Sequence, residues 1–362
     1  MIRSLAPRSV DRPLDGHFFE DFSRGQRFEH ANPRTLTEGD ASLHLALTGA
    51  RQPVHSCVPL AHALGHRAAP LDDLLVFHVA FGNTVADVSY NAVANLGYAD
   101  VRFLAPVYAG DTLVCESEVI GTKPNSSGKT GVVYVHSRAF NLEGTEVLSW
   151  VRWVMVARRE PADPTAPASG VVPALHTHVA ADRLVVPPFL DPSAIEARAT
   201  GGTRLWDDYT AGEMIDHPGG ATVEEAEHVL ATRLYQNTAR VHFDAFRAKD
   251  AAFGKRLVYG GHVISLCRGL SHDGLENAFA IAAIHGGSHA NPVFAGDTVY
   301  CRHVVVAQDE IPRRKNLGAL RLRMIGVKNA PLESIPPIEP GVKHESVVLD
   351  LDYSVLIPRR QS

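Results

Sequence analysis

PVYAGDT (Pro106–Thr112) recurs as PVFAGDT (Pro292–Thr298), 186 residues further along the chain. Upstream residues also match in the same order, at an offset of 187. These pairs are Asp21-Phe22 with Asp208-Tyr209, Gly25 with Gly212, Thr35 with Thr222, Glu38 with Glu225, and Val54-His55 with Val241-His242. Ordered matches at nearly one offset indicate that the chain contains two copies of one domain.

The Gly-Asp pair within each heptapeptide predicts a tight turn between two strands. Glycine adopts the positive φ that such turns require, and aspartate accepts hydrogen bonds from nearby backbone N–H groups. Asp111 and Asp297 are therefore interpreted as turn residues rather than as catalytic carboxylates.

The composition is typical of a globular protein with two domains of ordinary size. The 362 residues are 45% apolar and 21% charged, and the formal net charge of −5 argues against a nucleic-acid or anionic-membrane partner. No apolar run approaches the roughly 18 residues of a membrane span, and the stretch after Met1 predicts no secretory signal. Four dispersed cysteines without a CxxC suggest neither a disulfide framework nor a zinc site, and favour the cytoplasm.

Each copy shows the same coarse order of elements. The capping-box spacings Thr35…Glu38 and Thr222…Glu225 predict the start of a short helix. A longer apolar helix follows, and alternating strands come after each PVxAGDT. This order predicts an α+β fold in which an antiparallel sheet wraps around a central helix, with the two sheets paired as a pseudo-dimer.

The repeat also sets the domain boundaries. Residues 17–159 are predicted to form the first domain and residues 202–360 the second. The proline-rich stretch 160–201 lacks apolar periodicity and is interpreted as an extended linker rather than as a third domain.

Residues 242–270 resemble the MaoC-like (R)-specific enoyl-CoA hydratases. That family carries S-G-D-x-N-P-x-H followed downstream by V-H-G, and Val258-Tyr259-Gly260 stands at the second position. The segments LDDLLVFHVAFG and NAVANLGYADVRFLAPVYAGDTL resemble its double-hotdog branch. The resemblance implies a tandem double hotdog that reversibly hydrates mesaconyl-CoA to β-methylmalyl-CoA, a branched CoA thioester, with no metal or organic cofactor.

Hydration of an enoyl thioester requires a base for water, an acid for Cα and donors for the thioester oxygen. The resemblance assigns the acid/base role to His242 and the oxyanion contact to the N–H of Gly260, at the start of the central helix. Asn237 replaces the motif's aspartate and is expected to orient the water or the substrate, because an amide takes no proton at neutral pH. Asp244, Asp40 or the substrate's own carboxylate could replace the missing acid. The alternative for His242 is a structural histidine within the turn.

Copy one departs further from the motif. Ala50 occupies the aspartate position before His55, and the glycine position falls on His78 when an insertion of five residues is allowed. Copy two is therefore expected to hold the catalytic site, and copy one to pack against it and shape the acyl tunnel.

Two arginines near the motifs, Arg240 and Arg51, are candidates for clamping the free carboxylate of a dicarboxylic thioester, or are solvated surface residues. Asp72-Asp73 precedes the apolar helix of copy one and is expected to cap it. The other expected substrate-binding residues are Tyr259, His55, Asn95, Tyr98 and Asp100.

Three functions stay open from the sequence. The first is hydration of a small branched dicarboxylic CoA thioester, and the second is hydration of another enoyl-CoA or of an acyl-carrier-protein thioester. The third is binding of acyl-CoA without catalysis, because neither copy keeps the motif's aspartate. Hotdog folds also host thioesterases, so the fold alone does not decide. The exposed sheet edges favour a homo-oligomer.

Overall fold

A computed structural model describes residues 12–162, 170–250, 253–339 and 341–360. Part of the linker predicted over 160–201, residues 163–169, lies outside this description, as does the stretch after Met1. The described residues form seven α-helices: α1 (Glu38–Thr48), α2 (Val58–Ala63), α3 (Asp73–Val88), α4 (Ala197–Thr200), α5 (Glu225–Leu234), α6 (Ala245–Ala248) and α7 (Gly260–Leu270). None of these helices is long and apolar enough to cross a bilayer.

Eleven strands form one sheet in which every paired neighbour is antiparallel. They are β1 (Arg27–Glu29), β2 (Arg34–Thr35), β3 (Ala92–Phe103), β4 (Thr112–Pro124), β5 (Thr130–Asn141), β6 (Glu146–Ala157), β7 (Met214–Thr222), β8 (Ala280–His289), β9 (Thr298–Glu310), β10 (Leu317–Lys328) and β11 (Val347–Pro358). The order is β1-β4-β5-β6-β3-β8-β11-β10-β9-β7, with β2 also paired to β4.

The two copies meet at the centre of this sheet. β3 of copy one pairs with β8 of copy two, and Tyr98 stands opposite Gly287. The central helices α3 and α7 pack against the sheet and share one apolar core, to which Phe77 and Ile264 belong. The predicted α+β double hotdog and the pairing of its two sheets are confirmed, with the two sheets continuous across the β3–β8 pair.

The turn interpretation of PVxAGDT is also confirmed. Gly110 and Gly296 adopt φ of 97° and 92°. The carboxylate of Asp111 accepts the N–H of Tyr108 at 2.8 Å, and that of Asp297 accepts the N–H of Phe294 at 2.9 Å. Both aspartates therefore close their own turns.

The short helices begin later than the capping-box spacing predicts. In copy one the cap is Thr37, which forms three hydrogen bonds with Asp40, and Thr35 lies in β2. In copy two the cap position is Glu224, and Thr222 ends β7. The predicted register was wrong because Thr35 and Thr222 pair with neighbouring strands, which ties them to the sheet.

Two helical glycines hold the copies in close contact. A Cβ on Gly82 of α3 would overlap the carbonyl oxygen of Tyr235, directly after α5. A Cβ on Gly269 of α7 would overlap the carbonyl oxygen of Thr48, at the end of α1. Each central helix thus touches the backbone of the other copy's short helix at a position that admits no side chain.

Gly82→Ala should lower the free energy of unfolding by roughly 1–3 kcal/mol, because the added methyl group meets a backbone oxygen that cannot rotate away. The urea midpoint measures this change. Gly39→Ala is the matched control, since a Cβ on that exposed glycine of α1 meets only the Thr37 hydroxyl, at 3.5 Å. Equal midpoints for Gly82→Ala and the wild type would contradict the close packing of the two copies.

The described part of the linker packs on both copies. Leu184, Leu190 and Ile195 join a core cluster with Val54 of copy one and Leu356 of copy two. The homo-oligomeric state stays a prediction.

Candidate functional site

A cavity of about 240 Å³ lies between β3 and β6 of copy one and the start of α7 in copy two. Apolar side chains form most of its wall, including Phe81, Val154 and Val263. Its polar side chains include Asn95, Tyr98, Arg152, Asn237, His242 and His289. Both copies therefore contribute to one site.

His242 ends a short 3-10 turn, Arg240–His242, beside the cavity. Its Nδ1 lies 2.9 Å from the carbonyl oxygen of Leu257, so the neutral ring donates from Nδ1 and keeps its lone pair on Nε2. Burial lowers the pKa of His242 to about 4, although the Leu257 hydrogen bond opposes this. Nε2 is thus an unprotonated base at neutral pH.

Gly260 is the first residue of α7, and the N–H groups of a first helical turn have no partner within the helix. Tyr259, at the cap position, supplies no side-chain hydrogen bond. The ring of His289 packs against Gly260 where a Cβ would stand. The helix start therefore presents backbone donors and a positive dipole end to the cavity, which suits a developing oxyanion.

Asn237 is buried on the same wall, as the sequence placed it. Its Oδ1 accepts the N–H of Ala239 at 2.9 Å. This bond holds the loop before His242, and it leaves the amide NH₂ as the part of the side chain that suits contact with a substrate oxygen.

Three of the expected substrate-binding residues also line the cavity. Tyr259 is buried, with its ring centroid 5.7 Å from that of His242. Tyr98 places its hydroxyl 3.1 Å from Nε2 of His289. Neither amide atom of Asn95 has a hydrogen-bond partner among the described residues. The structure therefore brings Tyr259, Tyr98 and Asn95 together with His242.

The other expected binding residues lie outside the cavity lining. Arg51 is on the surface, with its guanidinium 2.6 Å from Asp273. The guanidinium of Arg240 stacks on the ring of Tyr90, 4.3 Å from its centroid. Asp100 forms an ion pair with Arg102 at 2.7 Å. Each of these three side chains thus already contacts a neighbouring side chain outside the cavity lining.

The candidates for the missing carboxylate lie elsewhere too. Asp244 caps α6 by accepting the N–H of Arg247, and Asp40, in the first turn of α1, accepts the N–H of the cap residue Thr37 and pairs with Arg34. No aspartate or glutamate lines the cavity within the described ranges of the chain. Neither aspartate therefore replaces the motif's carboxylate at the cavity.

Copy one has a smaller cavity at the corresponding place. It measures about 60 Å³ and is lined by His55, whose Nδ1 lies 3.1 Å from the carbonyl oxygen of Pro70, the same arrangement as His242 with Leu257. Pro187 and Leu190 of the linker form part of its wall. His55 therefore faces a separate, smaller pocket rather than the main cavity.

The counterpart of Gly260 in copy one differs from the sequence prediction. α3 begins at Asp73, which keeps the offset of 187 without an insertion. His78 lies one turn inside α3, and its Nε2 contacts Ser265 of α7 at 2.9 Å. Asp72 caps α3 by accepting the N–H of Leu74, so the capping prediction is confirmed.

Asp73 changes the electrostatics of the copy-one pocket. Its carboxylate accepts the N–H of Ile281 at 2.7 Å, and burial raises its pKa to about 6. A carboxylate at the helix start repels an enolate oxygen, whereas Gly260 offers a backbone donor there.

Sequence reasoning missed two cavity residues, His289 and Arg152. His289 ends β8, and burial lowers its pKa to about 4. Arg152 is fully buried in β6, where inward positions otherwise carry apolar side chains such as Val154 and Val156. The sequence could have indicated Arg152, because a charged residue there occupies a strand position at which the alternation predicts a buried apolar side chain.

A second polar cluster is formed by side chains of β7, β9 and β11. His217 Nδ1 donates to the carbonyl oxygen of Asp273 at 2.8 Å, so its Nε2 accepts from His303 Nδ1 at 2.9 Å. Tyr353 then donates to His303 Nε2 at 2.9 Å. Cys301 lies beside both histidines, and the atoms of His217, Cys301 and His303 that could bind a metal ion lie within 4.8 Å of one another. The histidines form a neutral chain in which each ring nitrogen already has a partner.

The comparisons with known proteins agree with this architecture. A solved MaoC domain dehydratase from Chloroflexus aurantiacus superposes with a TM-score of 0.91, at 51% identity, covering 98% of this chain and 100% of that one. A Mycobacterium tuberculosis protein described as a double hotdog superposes with a TM-score of 0.76, at 26% identity, covering 96% of this chain and 100% of that one.

Curated relatives match over nearly the whole chain. The β-methylmalyl-CoA dehydratase of Chloroflexus aurantiacus is 52% identical over 347 residues, which is 95% of this chain and 98% of the relative. The mesaconyl-CoA hydratase of Cereibacter sphaeroides is 51% identical over 344 residues, again 95% and 98%. A family model described as mesaconyl-CoA hydratase matches residues 5–334. The chain therefore belongs to the mesaconyl-CoA hydratase family.

Proposed function

We propose that this protein reversibly adds water to mesaconyl-CoA to give β-methylmalyl-CoA, at the cavity shared by the two copies. The observation that carries the proposal is that a neutral His242 and the start of α7 face the same cavity. One supplies a base, and the other supplies donors for the thioester oxygen. Family membership and the names of the relatives support the substrate.

In the proposed reaction, Nε2 of His242 takes a proton from water as the water oxygen bonds to Cβ. The electrons of the C=C bond move toward the thioester carbonyl, and the N–H of Gly260 stabilises the resulting enolate oxygen. The enolate then returns its electrons to Cα, which takes the proton from Nε2 of His242. The histidine ends as it began, so one acid/base group serves both steps without the aspartate that Asn237 replaces.

Copy two alone would perform the chemistry. The cavity of copy one has a quarter of the volume of the main cavity, and the linker forms part of its wall. Asp73 stands at the start of α3, the position at which Gly260 would contact the enolate oxygen in copy two. We assign no metal or organic cofactor to the reaction, since a base and backbone donors suffice for it. The free thiols of all four cysteines suit a reducing cytoplasm.

Product analysis tests the proposal. Purified protein incubated with mesaconyl-CoA should give a thioester heavier by one water, with no release of the CoA thiol, and should act more slowly on crotonyl-CoA. Thiol release without hydration would show a thioesterase and overturn the proposal. An unchanged thioester that nonetheless binds would show an acyl-CoA-binding protein instead.

The pH dependence of kcat/KM should lack an acid limb near pH 6.5, the ordinary pKa of histidine. Because burial lowers the pKa of His242 to about 4, Nε2 keeps its lone pair above that pH and loses it only on further acidification. Initial rates between about pH 5 and pH 8 should therefore be nearly constant. Thermal unfolding at each pH separates loss of the base from loss of the fold, and a half-maximal rate near pH 6.5 in folded protein would contradict the assignment.

A further inference from the structure

Arg152 is a fully buried cation without an anionic partner. Nη2 donates to the Thr84 hydroxyl at 2.9 Å and Nη1 to the Ser89 hydroxyl at 3.2 Å. Nε has no hydrogen-bond partner among the described residues, and no carboxylate in the described ranges forms an ion pair with the guanidinium. A buried charge in this condition is costly, and buried charges in proteins are ordinarily paired.

The guanidinium of Arg152 lies beside an aromatic ring of the cavity wall. The guanidinium lies 4.1 Å from the ring centroid of Phe81, and both residues line the cavity wall. A guanidinium has five N–H donors, and two neutral hydroxyls engage only two of them. Burial lowers the pKa of Arg152 to about 10, so the group stays cationic at neutral pH.

Arg152 also connects geometrically to the reacting groups. It stands directly opposite Tyr98 in the β3–β6 pair. Tyr98 contacts His289, whose ring covers Gly260. The side chains of Tyr98 and His289 thus lie between the guanidinium of Arg152 and the backbone of Gly260.

We propose that Arg152 forms a carboxylate subsite that binds the free carboxylate of a dicarboxylic acyl-CoA thioester. The inference rests on the proposed function and names its substrate class. In a butenedioyl thioester only the two alkene carbons separate the carboxylate from the thioester carbonyl, so both ends fit within one cavity. A guanidinium can hold the carboxylate through two parallel N–H bonds.

The two arginines expected from the sequence are less suited to this role. Arg51 already pairs with Asp273 at the surface, and Arg240 stacks on Tyr90 outside the cavity lining. Of the three arginines, only Arg152 lines the cavity, and its Nε has no hydrogen-bond partner among the described residues. Binding the carboxylate would also fix which alkene carbon faces His242, because the carboxylate and the thioester oxygen would be held at opposite ends.

The first test uses the wild-type protein and two saturated thioesters, so it depends on neither a variant nor turnover. Succinyl-CoA and butyryl-CoA have acyl chains of the same length and differ by a terminal carboxylate against a methyl group. As competitive ligands, or in direct calorimetric titration, succinyl-CoA should bind at least about 10-fold more tightly, the range of a charge-assisted hydrogen bond. Equal or tighter binding of butyryl-CoA would overturn the subsite.

The second test is a change of selectivity in Arg152→Met. We expect kcat/KM for mesaconyl-CoA to fall about 10²- to 10³-fold, while kcat/KM for crotonyl-CoA changes by less than about threefold. Arg152→Lys should recover part of the loss, since it keeps the charge without the planar pair of donors. Equal losses on both substrates in folded Arg152→Met would show a purely structural arginine and overturn the proposal.

Arg302→Met is the matched control for removal of a buried arginine. Arg302 pairs with Asp216 and lies outside the cavity lining. Its loss should therefore lower the free energy of unfolding without changing the ratio of kcat/KM for mesaconyl-CoA to kcat/KM for crotonyl-CoA. If the wild type hydrates neither substrate yet prefers succinyl-CoA, the proposed reaction fails and the subsite stands. If it hydrates mesaconyl-CoA without preferring succinyl-CoA, the subsite fails and the reaction stands.

Discussion

Replacing His242 by glutamine should lower kcat for the hydration of mesaconyl-CoA by about 10²- to 10⁴-fold, the usual contribution of a general acid/base group. Glutamine is close in size and can still donate to the carbonyl oxygen of Leu257, which His242 contacts at 2.9 Å. It cannot take a proton from water, however. The affinity for succinyl-CoA and the melting temperature should therefore stay near the wild-type values. Initial rates, a calorimetric titration with succinyl-CoA and a thermal scan of each protein measure the three quantities.

The duplication supplies the matched control for this variant. His55 occupies the same place in copy one, with the same kind of Nδ1 bond to a backbone carbonyl, and faces the smaller pocket. His55→Gln should leave kcat within about twofold of the wild type, because His55 lines the separate pocket of copy one and is absent from the lining of the main cavity. Comparable losses of kcat in His55→Gln and His242→Gln would contradict the assignment of catalysis to copy two.

Gly260→Ala should lower kcat by about 10²-fold, the lower end of the effect of removing an oxyanion donor. The new methyl group would overlap the ring of His289, which covers the start of α7. Either the ring or the backbone must move, and the N–H that we assign to the enolate oxygen then loses its position. Because the contact involves a transition-state charge, kcat should fall more than KM rises. Steady-state kinetics on mesaconyl-CoA separates the two constants.

Gly39→Ala provides the comparison for a glycine in the first turn of a helix. A Cβ there meets only the Thr37 hydroxyl, at 3.5 Å, and the site is exposed. This variant should keep wild-type kcat. A normal kcat in Gly260→Ala, with the variant folded, would mean that the thioester oxygen lies elsewhere.

Local chemistry made part of the fold predictable. The turn at PVxAGDT depends on a glycine with positive φ and on an aspartate that binds its own backbone, and both features are written in adjacent residues. Because the heptapeptide is repeated, the same turn could be predicted in the second copy. The helix caps were less predictable, because Thr35 and Thr37 both precede an acidic residue at the right spacing and strand pairing decides between them.

The alignment of the two sites required the structure. Matching residue types placed the copy-one glycine position at His78, whereas α3 begins five residues earlier, at Asp73. A helix start is set by its cap and by its distance from the preceding turn, and a glycine is not needed when no oxyanion has to be bound. Residue identity was therefore a poor guide to position in the copy that lacks Gly260.

The polar side of the cavity was the least predictable part. Arg152 and His289 lie on strands that meet only through β3, which pairs with β6 on one side and with β8 on the other. Sequence separation gives no information on such long-range pairing. By contrast His242, Asn237 and Gly260 lie within one stretch of chain, and a motif could therefore find them.

The absorbance of the enoyl thioester, followed after mixing protein with mesaconyl-CoA, tests most directly whether copy two hydrates this substrate. We predict rapid loss of absorbance with the wild type and with His55→Gln, and slow or undetectable loss with His242→Gln. An unchanged absorbance with folded wild-type protein, or equal rates in the two histidine variants, would contradict a hydratase site built around His242.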